Sequence, residues 1–227
     1  MSNPSKPVLY SFRRCPYAMR ARLALCASGT ECELREVVLR DKPEAMLMAS
    51  SKATVPVLEV TPGTVIDESL SIMLWSLRRC DPEGWMNPDA VSLEQMMALI
   101  EEADSDFKSN LDRYKYPNRY EDANAEHYRS QGEKFLSKLD MMLKHSPYLF
   151  GSRICLADMA IAPFIRQFAN TDRDWFDATP YHALQRWLVE FLESDRFASI
   201  MHKYPKWEPG DPATMFPATL PDSPRVA

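Results

Sequence analysis

Three short stretches bring together residue types that can do chemistry. The first is Arg13-Arg14-Cys15-Pro16. Val8 to Phe12 reads as a short strand, and Pro16 suits the first position of a helix. Cys15 therefore stands where strand turns into helix. The unpaired N–H groups of a helix start favour an anion there. The placement predicts a thiol pKa below the ~8.5 of a free cysteine, with Arg13 and Arg14 adding positive charge. The thiolate is the nucleophilic form, so Cys15 reads as a reactive cysteine rather than a structural one. Ala18 occupies the position of the second cysteine of a C-x-x-C dithiol. A Cys15 disulfide must then be with another molecule, and a small thiol cosubstrate would resolve it.

The second stretch is Thr54-Val55-Pro56-Val57. Proline inside a strand loses a ladder donor and is confined to edges or special geometry. A cis Val55-Pro56 bond would offer the Val55 N–H and C=O to an extended peptide lying alongside. An edge-strand proline with no ligand is the alternative. The third stretch, Asp67-Glu68-Ser69, opens a helix. A hydroxyl and free amides at a helix start bind a carboxylate, and Glu68 beside them can pair with an ammonium, the two charges of an α-amino acid head group. Ser69 as a plain N-cap is the alternative.

The elements that position these stretches follow from the patterning. Strand 8–12, a helix to about Ala27, strand 34–39, a short helix 42–49, strand 54–60, its hairpin partner 64–66 and a helix through Arg79 give the order β-α-β-α-β-β-α. That order predicts a small mixed sheet with helices on its faces over residues 1–80. Residues 81–91 read as a linker anchored by Trp85. From 92 on the periodicity is helical. Leu93, Met96, Met97, Ile100, Phe107, Leu111 and Tyr114 follow i, i+3, i+4, i+7 spacing. Further helices are predicted over 123–144, 156–169 and 183–193. The end, Pro205 to Ala227, holds six prolines and reads as an irregular tail of this all-α domain, 92–227.

The 227 residues are 45% hydrophobic with a net charge of −5, which speaks against nucleic-acid binding. No secretory pattern opens the chain and no run reaches the about 18 apolar residues of a membrane span. Five irregularly spaced cysteines, an odd number, argue for reduced thiols rather than a disulfide framework and for a cytoplasmic protein. The four histidines show no metal-ligand spacing, so no metal is expected.

Taken together, the three stretches resemble the glutathione transferase superfamily over nearly the whole chain. Arg14-Cys15-Pro16-Tyr17-Ala18 is similar to the active-site motif of its cysteine-type members, most nearly the omega class. The resemblance implies a thioredoxin-like first domain, an all-helical second domain and glutathione as cosubstrate. It implies that Cys15 forms a mixed disulfide with glutathione. Val55, with Pro56, would pair its backbone with the cysteinyl unit, Glu68 and Ser69 hold the γ-glutamyl head, and Lys42 meet the glycine carboxylate. Tyr17 and Leu39 would line the same groove. Phe107, Lys108, Leu111 and Tyr114 on one helix face, and Trp175, are candidates for a second-substrate cleft, although core packing explains them too. Asp104 interrupts that helix's apolar stripe, facing solvent or a partner's glutathione site. Leu156-Ala157-Asp158 resembles the family's buried helix-start motif. Cys155 stands there in the capping position as a poor cap, and Asp158 is structural. Family members are usually homodimers.

The expected reaction is thiol-disulfide exchange or glutathione-dependent reduction of a small electrophile or mixed disulfide, including deglutathionylation and dehydroascorbate-type reductions. Two other classes compete. One is a conjugating transferase that uses a Ser11 or Tyr10 hydroxyl. The other is a non-catalytic glutathione-binding or regulatory protein.

Overall fold

The computed structural model describes residues 6–88, 91–121 and 124–217. Part of the expected linker, residues 89–90, and the last part of the expected tail, residues 218–227, lie outside the described residues. The chain divides into two compact units. One comprises the chain up to Pro82 together with the segment from Asp195 on, and the other is Glu83–Ser194.

In the first unit, β1 (Val8–Ser11), α1 (Pro16–Ala27), β2 (Cys32–Glu36), α2 (Glu44–Ala49), β3 (Val57–Thr61), β4 (Thr64–Ile66) and α3 (Ser69–Arg79) follow the expected order. The sheet order is β4-β3-β1-β2-β5, with β5 being Met215–Phe216. Strands β1 and β2 are parallel, with Leu9 opposite Leu34. The β3 strand runs antiparallel to both β1 and β4. Leu9, Tyr10, Val57 and Leu58 are buried in the sheet, α1 packs on α3, and Ala18 and Leu25 of α1 and Ile72 and Met73 of α3 are buried. Burying such side chains stabilises by roughly 1.5–3 kcal/mol each.

The segment after Asp195 corrects the expected division at 92–227. It belongs to the sheet unit. Helix α10 (Asp195–Ile200) packs on α1, and β5 adds an antiparallel edge strand to β2, with Cys32 opposite Phe216 and Glu33 opposite Met215. The reason is physical. The outer edge of β2 would otherwise expose a row of backbone donors and acceptors, and Phe216 is fully buried against it. The buried Arg22 side chain fastens this segment, donating to Ile200 O at 3.1 Å and stacking on the Phe216 ring at 5.8 Å.

The second unit is helical: α4 (Leu93–Glu102), a π-helical turn (Ala103–Phe107), α5 (Lys108–Lys115), α6 (Ala125–Leu143), α7 (Leu156–Ala169), α8 (Arg173–Asp177) and α9 (His182–Glu193). The unit begins inside the expected linker. Trp85 is fully buried, and its carbonyl accepts the Leu156 N–H at 2.9 Å. A capping box starts α4: the Gln95 N–H donates to Ser92 Oγ at 3.3 Å and the Ser92 N–H donates to Gln95 Oε1 at 2.9 Å. That reciprocal pairing satisfies two donors that a helix start otherwise leaves free. Helix α7 is buried along its length. Its start is held by Asp158, which is fully buried and accepts four donors. Leu149 N–H and Trp187 Nε1–H reach Oδ1 at 3.0 and 2.9 Å, and the Cys155 N–H and thiol reach Oδ2, each at 3.0 Å. Burial pushes the Asp158 carboxyl above its usual range, against those four bonds. Asp158 thereby supplies what Cys155 lacks as a cap.

Candidate functional site

The site grows out of the β1–α1 connection. A turn closes between Phe12 O and Cys15 N–H at 2.9 Å, and the Met19 N–H returns to Cys15 O at 2.9 Å. Cys15 is thus the N-cap of α1, with extended backbone (φ −76°, ψ 123°) and no capping bond from its side chain. Pro16 takes the first helical position, where its missing N–H costs nothing. The Cys15 thiol is half-buried and not in a disulfide. Its Sγ lies 3.7 Å from Val55 O.

The two arginines before it differ. The Arg13 guanidinium is turned to Met201 O at 3.2 Å, and the Arg13 backbone N–H is held by Glu36 Oε1 at 2.8 Å. Arg14 is exposed and lies over the Phe12 ring at 5.3 Å. Both are expected to add positive charge beside the thiol, and each guanidinium instead lies against another group. Arg13 anchors the turn.

The Val55–Pro56 bond is cis, and both residues are buried, Val55 being 7% exposed. Across from them, α3 starts with Glu68 as its N-cap residue and no side-chain capping bond. Ser69 is therefore the first helical residue, not the cap. It is 3% exposed, and its hydroxyl accepts from Arg20 Nε at 2.9 Å. Arg20, buried on α1, also stacks on the half-buried Tyr17 ring at 5.1 Å. Glu68 is exposed and ion-paired with Lys52, whose ammonium also reaches Asp67 Oδ1 at 3.1 Å. Lys42 is half-buried just before α2, and Leu39 is 45% exposed in the turn bridged by Val38 and Asp41.

Two groups of the expected residues are therefore in contact within the sheet unit: Cys15 with Val55, and Ser69 with Tyr17 through Arg20. Sequence reasoning passed over Arg20, Glu36, Ser50 and Lys52. Only Lys52 carried a signal, as the cation two residues before Thr54-Val55-Pro56.

The second-substrate candidates lie in the helical unit. Phe107, Leu111 and Tyr114 are buried on the α4–α5 stripe, Phe107 against Phe135 and Phe168, and Tyr114 against Phe168 at 5.0 Å. Lys108 is ion-paired with Asp112. Trp175 is half-buried, with the Arg129 guanidinium 4.6 Å over its ring. Asp104 sits half-buried in the π-helical turn.

The competing hydroxyls sit poorly for catalysis. Ser11 is fully buried and accepts from Arg22 Nε at 2.8 Å. Tyr10 is 1% exposed, accepts from Arg35 at 2.6 Å, and burial raises its pKa. Burial also pushes the Cys26 thiol up to about 11 and the Cys32 thiol up to about 12. Among the described residues, no group of three or more His, Cys, Asp or Glu could hold a metal ion, and no helix is long and apolar enough to cross a membrane.

Comparison with known proteins matches residues 9–83 to the glutathione S-transferase N-terminal domain and residues 122–190 to the glutathione S-transferase C-terminal domain. The chain is 28% identical to glutathione S-transferase omega-1 of Sus scrofa, over 87% of this chain and 81% of that protein. It is 29% identical to a probable maleylacetoacetate isomerase of Caenorhabditis elegans, over 82% of this chain and 88% of that protein. Among solved structures, a glutathione transferase family member from Pseudomonas fluorescens with two glutathione bound superposes with a TM-score of 0.75 at 16% identity, covering 88% of this chain and 94% of that one.

Proposed function

The chain belongs to the glutathione S-transferase family, and from that premise we propose that it is an omega-like thioltransferase working through Cys15. Glutathione is the cosubstrate. In the proposed cycle the Cys15 thiolate attacks the glutathionyl sulfur of a mixed disulfide, GS–SR. The S–S bond breaks, RS⁻ leaves and takes a proton from solvent, and Cys15–S–SG forms. A second glutathione thiolate attacks that disulfide at the glutathionyl sulfur. Oxidised glutathione leaves and the Cys15 thiolate returns. The net change is GS–SR + GSH → GSSG + RSH, in which one glutathione thiol is oxidised to disulfide as the RS sulfur is reduced to thiol, so electrons balance.

The observation that carries this reading is the helix start itself. Cys15 is half-exposed, is not in a disulfide and is the N-cap residue of α1, at the end of the helix where the backbone favours an anion. Val55, whose carbonyl is 3.7 Å from Cys15 Sγ, is the backbone against which the cysteinyl part of glutathione would pair as an added strand. The start of α3, with Glu68, Ser69 and the Arg20 guanidinium beneath Ser69, would take the γ-glutamyl head. Lys42 would meet the glycine carboxylate, and Tyr17 and Leu39 would flank the peptide. The reading implies a reducing compartment, the cytoplasm, and a homodimer as in the rest of the family. A conjugating transferase relying on Tyr10 or Ser11 is disfavoured by the burial and existing bonds of both hydroxyls.

The test is steady-state reduction of the mixed disulfide of glutathione with cysteamine, coupled to oxidised-glutathione formation. Wild type turns over and Cys15→Ala does not. Conjugation activity that survives or rises in Cys15→Ser, with no disulfide reduction in wild type, would establish the hydroxyl-type reading instead.

A further inference from the structure

The mouth of the α3 site holds a cation of the protein's own. The Lys52 ammonium lies between two carboxylates, 3.1 Å from Asp67 Oδ1 and in an ion pair with Glu68. Asp67 is fixed from its other side by Ser50 Oγ, which donates to Oδ2 at 2.8 Å. The Ser50–Ala53 turn is closed by the Ala53 N–H to Ser50 O at 3.2 Å, and Ala53 holds a left-handed backbone with φ 53°. A non-glycine residue adopts that region only at some cost. Ser50 and Lys52 thus dock this turn onto Asp67 and Glu68, immediately before Thr54-Val55-Pro56. Glu68, then Asp67, raises the Lys52 pKa, and Ser50 first, then Lys52, lowers that of Asp67. Both partners are charged at neutral pH.

We propose that Lys52 is a specificity-determining residue: in the free protein its ammonium takes the place that the α-ammonium of a γ-glutamyl thiol occupies when bound. This inference rests on the proposed placement of the head group at Glu68 and Ser69. Binding then exchanges one ammonium for another between the same two carboxylates. The Lys52 side chain is 47% exposed and that of Glu68 is 65% exposed. Solvated pairs of that kind hold weakly, so the exchange is easy. A ligand whose amine is acylated has no cation to offer Asp67 and Glu68 and leaves Lys52 in place. The subsite therefore selects γ-glutamyl thiols with a free α-amino group and a free α-carboxylate, the latter meeting the open N–H groups of α3.

Calorimetric titration of the full chain with S-methylglutathione, which cannot exchange disulfides, tests this in wild type, Lys52→Met, Lys52→Arg and Glu68→Gln. With nothing to displace, Lys52→Met binds roughly two- to fivefold more tightly than wild type at low salt, a gain that vanishes near 1 M NaCl. Lys52→Arg keeps the cation and the wild-type affinity, and Glu68→Gln binds more weakly. Melting temperatures of all four identify any variant whose change comes from misfolding, and Lys52→Arg then carries the comparison. Equal or weaker binding by Lys52→Met, with Glu68→Gln still weakened, overturns the exchange while leaving the head-group placement intact. If neither variant changes the affinity, the head group lies elsewhere and the inference falls, although wild-type disulfide turnover still supports thioltransfer. If no variant binds and wild type does not turn over, the inference and the thioltransferase reading fall together.

Discussion

Among the described residues, two helices have a cysteine as their N-cap residue, and the two thiols lead opposite lives. Cys15 caps α1 with extended backbone and Cys155 caps α7 likewise (φ −131°, ψ 176°). Both follow a loop and precede a helix rich in buried side chains. What differs is the surroundings. Cys15 is half-exposed, and its sulfur lies 3.7 Å from the Val55 carbonyl oxygen. Cys155 is fully buried, and its thiol is 3.0 Å from the Asp158 carboxylate. Burial and that negative charge drive the Cys155 pKa far up. A helix start is therefore not enough to make a cysteine reactive. Access and the sign of the neighbouring charge decide.

The largest contrast is in activity. Cys15→Ala should lower thioltransferase kcat by more than about a thousandfold, as loss of a covalent nucleophile does. Cys155→Ala should leave kcat unchanged. A Cys155 variant with wild-type stability and lost turnover would break the contrast.

In stability the order reverses. Asp158→Ala leaves the Leu149, Cys155 and Trp187 donors buried without their acceptor, at a cost of about 3–5 kcal/mol in urea unfolding. Cys15→Ala should change the same measurement by less than about 1 kcal/mol. Cys155→Ser, which places a stronger capping group against the same Asp158, should stay within about 1 kcal/mol of wild type.

The remaining thiols sharpen the comparison through pH. Burial raises Cys26 to about 11 and Cys32 to about 12 from an ordinary value of 9.0. A raised folded-state pKa means that the stability these thiols confer is complete below pH 9 and is lost as pH climbs through 11 and 12. Cys32→Ala should therefore flatten the fall in stability over that alkaline window, read by denaturant titrations at stepped pH. In the native protein at pH 7.5, iodoacetamide should label Cys15 and the exposed Cys80 and leave Cys26, Cys32 and Cys155 untouched, as peptide mapping would record.

The parts of this account legible in the sequence are those whose chemistry is local. Cys15-Pro16, Val55-Pro56 and Glu68-Ser69 each declare a strand end or a helix start in two or three residues, and the β-α-β-α-β-β-α order emerges from the punctuation between them. The elements that escaped are defined by distant partners. Arg20 finds Ser69 from another helix, and Lys52 finds Glu68 sixteen residues on. Strand β5 is two residues long in a proline-rich stretch with no periodicity to betray it, and only the open edge of β2 gives it a place. The α4–α5 stripe was readable to Tyr114, but its π-helical turn at Ala103–Phe107 was not, because Asp104, Ser105 and Asp106 between them carry no apolar position that would mark the change of period.

The most direct test of the central claim is intact-mass analysis of wild type and Cys15→Ala after incubation with oxidised glutathione. The account predicts that wild type gains one glutathionyl group, that reduced glutathione removes it, and that Cys15→Ala lacks this fast, reversible adduct. Equal modification of both proteins, or none of wild type, would contradict it.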